Sequence, residues 1–421
     1  MRRPRGRWAP SPTGELHVGN ARTALVAWWS VRSAGGTMVV RIEDLDPPRV
    51  VPGTARRGLE DLAWLGLDWD EGPGARNLPE EASESGARDF PSGAEDGARD
   101  LPREASESGA RDFPSGAEDG ARDFPPEGGE GARDLSQADR VGAGKGAFGP
   151  YWQSLRGELY ESALDHLAAR GRLFPCPLSR KDLRQLASAP HDGAPVVSPY
   201  PRHLRPEAFQ RGTLEPGWLG RVRERWGAGL DPEVSLRFAV EPGQVRFEDH
   251  VMGEGEQRVD EAVGDFVLRR RDGLWAYQLA VVVDDLLMEI DEVVRGADLL
   301  GSTARQIQLI RALEGWPVGA REGSEDWGQG SRVPGYAHVP LVLNERGEKL
   351  SKRDRGLTLA SLRQGGVHPE ALVGYLAWTL GLLPSPRRAS VAELLHNFRW
   401  PRLSREDWVL EPDLAQTLRS L

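Results

Sequence analysis

Cysteine is almost absent: Cys176 stands alone in 421 residues. A single thiol excludes an intrachain disulfide and any metal site built from several cysteines. Also missing is any apolar run near the roughly 18 residues that a membrane span requires. The basic start MRRPRGRWAPSPTG has no apolar stretch behind it, so it lacks the middle of a secretion signal. These absences predict a cytoplasmic protein with no membrane partner. A surplus of positive charge is lacking too, since the formal net charge is −10, which at first argues against a nucleic-acid partner. Location changes that reading. Residues 74–147 hold 17 acidic and 9 basic side chains, a net of −8, so the remainder is close to neutral and can still gather arginines into a basic patch.

What is present suits two or three domains with a sizeable core: 39% hydrophobic residues, 14 of the chain's residues being tryptophan. The most conspicuous feature is a repeat. EASESGARDFPSGAEDGARDLPR (81–103) is followed by the near-copy EASESGARDFPSGAEDGARDFPP (104–126). Such periods can build solenoids, but this unit has too few apolar residues to stack. Its Gly, Pro, Ser and acid content predicts a disordered insertion over 74–147 without a catalytic role. A polar Gly/Glu stretch at 319–333 predicts a second, shorter loop insertion.

Without the repeat, strands and helices alternate. Thr37–Glu43 (TMVVRIE) reads as a buried strand between Gly35-Gly36 and Pro47-Pro48. Gly19–Ala34, Pro52–Leu65 and Leu155–Arg170 read as helices, the last two closed by Gly66 and Gly171. Leu274–Val283 and Asp291–Arg295 read as strands, and Thr303–Leu313 as a helix. The pattern predicts an α/β fold with a parallel sheet.

Three segments carry chemistry. In RWAPSPTGELHVGN (7–20), Pro and Gly break the chain after a short strand and place His17 at the head of a helix. Helix N-termini present free N–H groups to phosphate, Gly19 allows close backbone approach, and His17 is placed to donate to a phosphate oxygen. A helix-capping histidine is the commoner meaning of that tetrapeptide alone. In GEKLSKR (347–353), Lys349 and Lys352 can neutralise a triphosphate, or merely form a solvated basic turn. The third set is polar residues inside apolar runs: Glu43-Asp44, Tyr277-Gln278, Asp284-Asp285 and Arg295. Charges at the carboxyl ends of parallel strands mark ligand sites, although a buried Arg facing Glu also makes a structural ion pair.

Together these segments resemble the glutamyl-tRNA synthetase family. APSPTGELHVGNART (9–23) looks like its HIGH signature and EKLSKR (348–353) like its KMSKS loop. RIEDLDPPRVVPG (41–53), DFVLRRRDGLWAYQLAVVVDD (265–285), VVRGADLLGST (293–303) and YAHVPLVLN (336–344) extend the likeness over most of the chain outside 74–147 and the last ~60 residues. The resemblance implies a Rossmann-like class I aminoacyl-tRNA synthetase catalytic domain that makes glutamyl-adenylate from glutamate and ATP with Mg²⁺. It divides the chain into a first half (1–73), the acidic insertion (74–147), and the rest of that half with an inserted acceptor-type subdomain (148–260). The second half with the KLSKR loop (261–353) and a short helical C-terminal region (354–421) follow. By the same resemblance Arg7, Trp8, Ala9, Pro10, Ser11, Glu43, Tyr277 and Arg295 form the glutamate site. His17, Gly19, Asn20 and Lys352 hold ATP, and His17, Asn20, Lys349 and Lys352 serve catalysis. Two guanidiniums suit a dicarboxylate, and Glu43 suits an ammonium group.

Only 68 residues follow Arg353, too few for a helical anticodon-binding region. That shortness and the WAYQLAVVVDD segment resemble the glutamyl-Q branch of the family. The branch implies a queuosine-containing tRNA(Asp) as acceptor; a monomer is the default expectation, because nothing in the sequence marks an interface. The rivals are a truncated synthetase charging a tRNA 3′ end, and a silent glutamate- or nucleotide-binding regulator. Many relatives implied by the resemblance hold zinc, but here CxC reads Cys176-Pro177-Leu178, and Leu204 stands where a second later ligand is expected. Cys176 and Tyr200 remain as remnants, His203 and His191 are the available substitutes, and the expectation is that zinc is lost.

Overall fold

The computed structural model describes residues 3–74, 148–179, 182, 199–229, 233–316, 333–350 and 357–421. The acidic repeat, nearly all of the 319–333 stretch, His191 and Lys352 therefore lie outside the described residues.

Strand β1 (Arg5–Trp8), helix α1 (Val18–Ser33) and strand β2 (Thr37–Val40) make the first βαβ unit, with Arg7 opposite Val39 in a parallel ladder. Gly6 lets the helix lie close on the strand, because a methyl there would meet Val31 Cγ2 at 2.4 Å. Helix α2 (Thr54–Trp64) follows, and after the repeat comes α3 (Gly157–Ala169). The second unit is β8 (Glu292–Gly296), a helix at Thr303–Ala312, and β9 (Gly335–Val339), with Arg295 opposite His338. Six strands form the main sheet in the order β2-β1-β8-β9-β5-β6, all parallel except the last pair, where β5 (Gln244–Asp249) meets β6 (Gly253–Arg258). The first unit runs outward from β1 and the second outward from β8 in the opposite direction. Sequence direction thus reverses between β1 and β8, and in open parallel sheets ligands bind at the carboxyl ends beside such a reversal.

Strand alternation supplies both faces. Met38, Val40, Val294 and Ala337 join a core with α1 and the C-terminal region, whereas Val39, Val293 and Tyr336 face a second core with α3 and the Thr303–Ala312 helix. Residues 357–421 close over α1: Trp29 Nε1 donates to the Val391 carbonyl at 2.9 Å. Fully buried Arg22 donates to the Pro340 and Thr379 carbonyls at 2.7 and 3.1 Å, and burial lowers its pKa to about 10.

Strands β3 (Leu173–Cys176), β4 (Ser235–Phe238) and β7 (Phe266–Arg269) make a separate antiparallel sheet in the inserted region. The segment expected to hold that subdomain, 148–260, also gives β5 and β6 to the main sheet, while β7 comes from beyond it.

One element differs outright. Leu274–Val283, expected as a strand, is largely helix: α4 spans Tyr277–Leu287. The β-branched run Val281-Val282-Val283 favours strand locally, but this helix is buried on every side from Gln278 to Leu286. Its polar residues Tyr277, Gln278, Asp284 and Asp285 share one helical face, and that face is turned into the protein with the rest, so tertiary burial decides what local preference does not.

Candidate active site

The loop after β1 continues alongside β2: the Arg41 N–H donates to the Trp8 carbonyl at 3.1 Å and the Glu43 N–H to the Pro10 carbonyl at 2.9 Å. Thr54 Oγ1 and the Val51 N–H both hold the Pro12 carbonyl, at 2.8 and 2.9 Å. This pins Ala9–Pro12 over the sheet end and puts Glu43 beside Pro10. Ser11 is exposed, and the Trp8 side chain is buried in the apolar core, so Trp8 meets the site region only through its backbone.

Arg7 is buried at the end of β1. Its Nε and Nη2 donate to Asp285 at 3.2 and 3.4 Å, and Nη1 donates to the Val294 carbonyl at 3.3 Å. Arg41, fully buried, reaches Asp285 Oδ1 at 2.7 Å and Glu43 Oε1 at 3.1 Å. Behind it, Asp284 accepts from Arg156 Nε at 2.5 Å, Gln153 Nε2 at 2.8 Å and Tyr160 Oη at 3.0 Å. Three guanidiniums therefore meet three carboxylates. The two carboxylates nearest Arg7 are driven in opposite directions. Burial pushes Glu43 up, and Arg41 and Arg7 do not cancel it. Burial acts the same way on Asp285, but Arg7 and Arg41 outweigh it and hold that carboxyl below the usual range.

Arg295, at the end of β8, has no carboxylate partner among the described residues. Its Nε donates to His338 Nε2 at 2.9 Å, Nη1 to Gln306 Oε1 at 2.7 Å and Nη2 to Thr303 Oγ1 at 2.9 Å. A guanidinium has five N–H groups, so one remains on each Nη after these three bonds and is available to an acceptor such as a carboxylate. Tyr277, at the start of α4, lies within electrostatic reach of Arg295, Glu43, Arg7 and Asp285, and burial pushes its phenol up. The fold thus brings Arg7, Glu43, Tyr277 and Arg295 to one place beside the chain reversal. Asp44, read with Glu43 in the sequence, serves structure here: its two oxygens accept from the Ser154 N–H and Oγ at 2.8 and 2.6 Å.

At the head of α1, His17 does cap the helix. Its Nδ1 accepts from the Gly19 N–H at 3.1 Å, and Asn20 Oδ1 accepts from the His17 N–H at 3.0 Å. The cap puts the ring proton on Nε2, so capping and phosphate donation use different nitrogens and are compatible. Gly19 has a steric reason as well, since a methyl there would lie 3.0 Å from His17 Nδ1 and Cε1. The same methyl would be 3.5 Å from Val342 Cγ2, and the Leu350 N–H donates to the Val342 carbonyl at 3.0 Å. The base of the KLSKR turn therefore sits against this helix head. Lys349 pairs with Asp298 just after β8.

The family model for the catalytic domain of class I tRNA synthetases (E and Q) matches residues 4–85 and 143–393. Over 404 residues the chain is 38% identical to the glutamyl-Q tRNA(Asp) synthetase of Symbiobacterium thermophilum, covering 95% of this chain and 94% of that one. The chain belongs to the glutamyl-Q tRNA(Asp) synthetase family. Its counterpart in Nitratidesulfovibrio vulgaris is 36% identical, over 90% of this chain and 87% of the relative. A solved glutamate-tRNA synthetase from Elizabethkingia anophelis shares the fold, with a TM-score of 0.64 at 22% identity over 99% of this chain and 69% of that one. It is a class I synthetase catalytic fold, and the chain is a ligase-type enzyme.

The described part of the expected zinc remnant holds Cys176, Tyr200 and His203, while His191 lies outside the described residues. Cys176 Sγ lies 3.5 Å from Tyr200 Oη, which donates to the Leu204 carbonyl at 2.9 Å. His203 is exposed. Among the described residues no three His, Cys, Asp or Glu side chains gather as metal ligands, and one thiol with one phenol falls short of a tetrahedral set. Sequence reasoning missed Arg41, Arg156, Gln306, Thr303, Asp249 and His338. The usable signal was polarity within apolar strands, as in YAHVPLV.

Proposed function

We propose that the chain activates L-glutamate with MgATP, without tRNA, and transfers the glutamyl group to queuosine in the anticodon of tRNA(Asp). The observation that supports it best is the Arg295 guanidinium: a buried cation whose bonded partners are all neutral, facing a site that also holds Arg7, Glu43 and Tyr277. A side-chain carboxylate of the substrate supplies the missing negative charge at Arg295, and Glu43 takes the ammonium. The α-carboxylate is then left to attack the α-phosphorus of ATP, expelling pyrophosphate, with no protein nucleophile required. His17 and Asn20 at the helix head, with Lys349 and Lys352, steady the phosphates as charge moves onto them. A hydroxyl of the queuosine cyclopentenediol then attacks the mixed anhydride, leaving a glutamyl ester and releasing AMP. The working unit in this reading is a monomer, and tRNA as partner supports a cytoplasmic location.

The test is transfer of labelled glutamate, with ATP and Mg²⁺, to tRNA(Asp) with and without queuosine, each lacking its 3′-terminal adenosine. Label on the queuosine form alone is the expected result. Label on neither, with glutamate-dependent pyrophosphate exchange intact, would overturn the acceptor and leave the activation step standing.

A further inference from the structure

Behind Arg295 lies a second layer that the proposed chemistry does not use. Asp249 ends β5 and is buried. Its Oδ1 accepts three backbone N–H groups, from Val251 at 3.0 Å, Met252 at 2.8 Å and His338 at 3.1 Å. Its Oδ2 meets His338 Nδ1 at 2.5 Å. The opposite ring nitrogen, Nε2, faces Arg295 Nε at 2.9 Å. A guanidinium only donates, so Nε2 must carry a lone pair and Nδ1 the proton. This hydrogen-bond pattern assigns the tautomer. His338 is fully buried, between Ala337 and Val339 in β9.

We infer that Asp249 and His338 form a relay that positions Arg295: Asp249 fixes the imidazole tautomer, and His338 offers Arg295 a neutral acceptor. The inference rests on the glutamate-binding reading of Arg295. The arrangement solves a particular problem. A carboxylate placed directly on Arg295 would hold it equally well, but would neutralise the guanidinium and compete with the substrate. Routing the anchor through a neutral imidazole keeps the cation oriented and its charge available. Asp249 in turn is compensated by backbone N–H groups and by the His338 proton, which hold its carboxyl below the usual range against burial. The ring stays uncharged because burial and the neighbouring Arg295 both disfavour a second proton. Gln306 extends the neutral shell, donating to Gln278 Oε1 at 2.9 Å, and Gln278 donates to Ser302 Oγ at 3.2 Å. His338 and Asp249 are positioning residues. They bear on the substrate through Arg295.

Asp249→Asn gives the sharpest test. An amide presents N–H toward His338 Nδ1, or forfeits the backbone N–H groups if it turns over. The first outcome forces the ring proton onto Nε2, against Arg295. His338→Gln keeps an acceptor of similar reach to Arg295 without the Asp249 bond. In glutamate-dependent pyrophosphate exchange, Asp249→Asn and His338→Ala should raise the glutamate KM roughly ten- to hundredfold, the scale of a lost hydrogen bond to a charged group. The ATP KM should stay unchanged, and His338→Gln should recover part of the loss. Equal changes in both KM values, or no recovery with Gln, would reduce the pair to a structural role and overturn the inference. A readout free of activity separates this from failure of the glutamate reading. ¹⁵N imidazole spectra of the full chain, with the His338 signal identified by its loss in His338→Gln, should show a protonated Nδ1. Asp249→Asn should move that proton to Nε2. A wild-type ring protonated on Nε2 overturns the relay even if exchange is normal.

Discussion

Two buried arginine environments lie side by side at the carboxyl ends of β1 and β8, and they are built on opposite principles. Arg7, Arg41 and Arg156 sit among Glu43, Asp284 and Asp285, so cations and carboxylates balance. Arg295 is equally buried, at 4% exposure against 4% for Arg7, yet its side-chain partners are a neutral imidazole, an amide and a hydroxyl. Burying a charge is costly unless it is paired. The first cluster meets that cost within the folded chain. On the proposed reading, the second leaves part of it to be met by a ligand; neutral partners alone do not mark a site, because buried Arg22 bonds only carbonyls and ties the C-terminal region to α1.

Substitutions should divide along the same line. The largest expected effect is on stability, from Asp284→Asn. Asp284 is fully buried and accepts from Arg156, Gln153 and Tyr160. Removing its charge leaves Arg156 uncompensated, which costs about 3–5 kcal/mol by precedent for broken buried pairs. Chemical denaturation should show that loss; a change under about 1 kcal/mol would mean the cluster is no ion network. Arg295→Gln should do the reverse. Folding stability should hold, since a charge without a carboxylate partner is removed, while glutamate binding weakens by about 2–5 kcal/mol. Kinetics and a melting curve on the same preparation test both halves. A destabilised protein with normal glutamate KM would invert the comparison.

Glu43 lies between the two regimes, and pH exposes it. The pKa of its carboxyl is raised by burial, so the ionised form, which takes the ammonium on the proposed reading, prevails only above that raised pKa. The glutamate KM should therefore climb as pH falls through a window above the ordinary glutamate range near 4.3. For folding the sign is opposite. The folded state holds the proton more tightly than the unfolded chain, so this group's contribution to stability declines as pH rises through the same window. Glu43→Gln should abolish the acid limb at the expense of a weaker glutamate KM throughout. Persistence of the limb in that variant would assign it to another group.

Much of this was legible in the residues. Pro and Gly breaks around 9–14 and 47–53, and β-branched runs at 37–40 and 292–295, locate the strands because each acts within a few positions. His17, Gly19 and Asn20 share one helix turn, so their spacing already implies a common place. The contrast between the two arginine sites was not legible. Arg295, His338, Asp249 and Gln306 are separated by up to 89 residues, and nothing local says whether an arginine will meet a carboxylate or an amide. Helix α4 escaped for a related reason: the polar face that Tyr277, Gln278, Asp284 and Asp285 make at helical spacing is short and interrupted by Val281-Val282-Val283, which speak for a strand.

The smallest expected effect concerns Asp298, which holds Lys349 at the surface, the two side chains being 31% and 52% exposed. Pairs this exposed contribute about 0–1 kcal/mol, so Asp298→Asn should leave unfolding almost unmoved. If Lys349 serves the phosphates, it must exchange this carboxylate for ATP, and the pair then competes with the nucleotide. Releasing it should lower the ATP KM by no more than about fivefold, the kinetic equivalent of that small energy. The glutamate KM should not change. A raised ATP KM would instead make Asp298 a support that presents Lys349. The charge pairing in this molecule would then fall into three kinds: ions that hold the fold, a cation kept for the substrate, and a surface pair that delivers a lysine to the nucleotide.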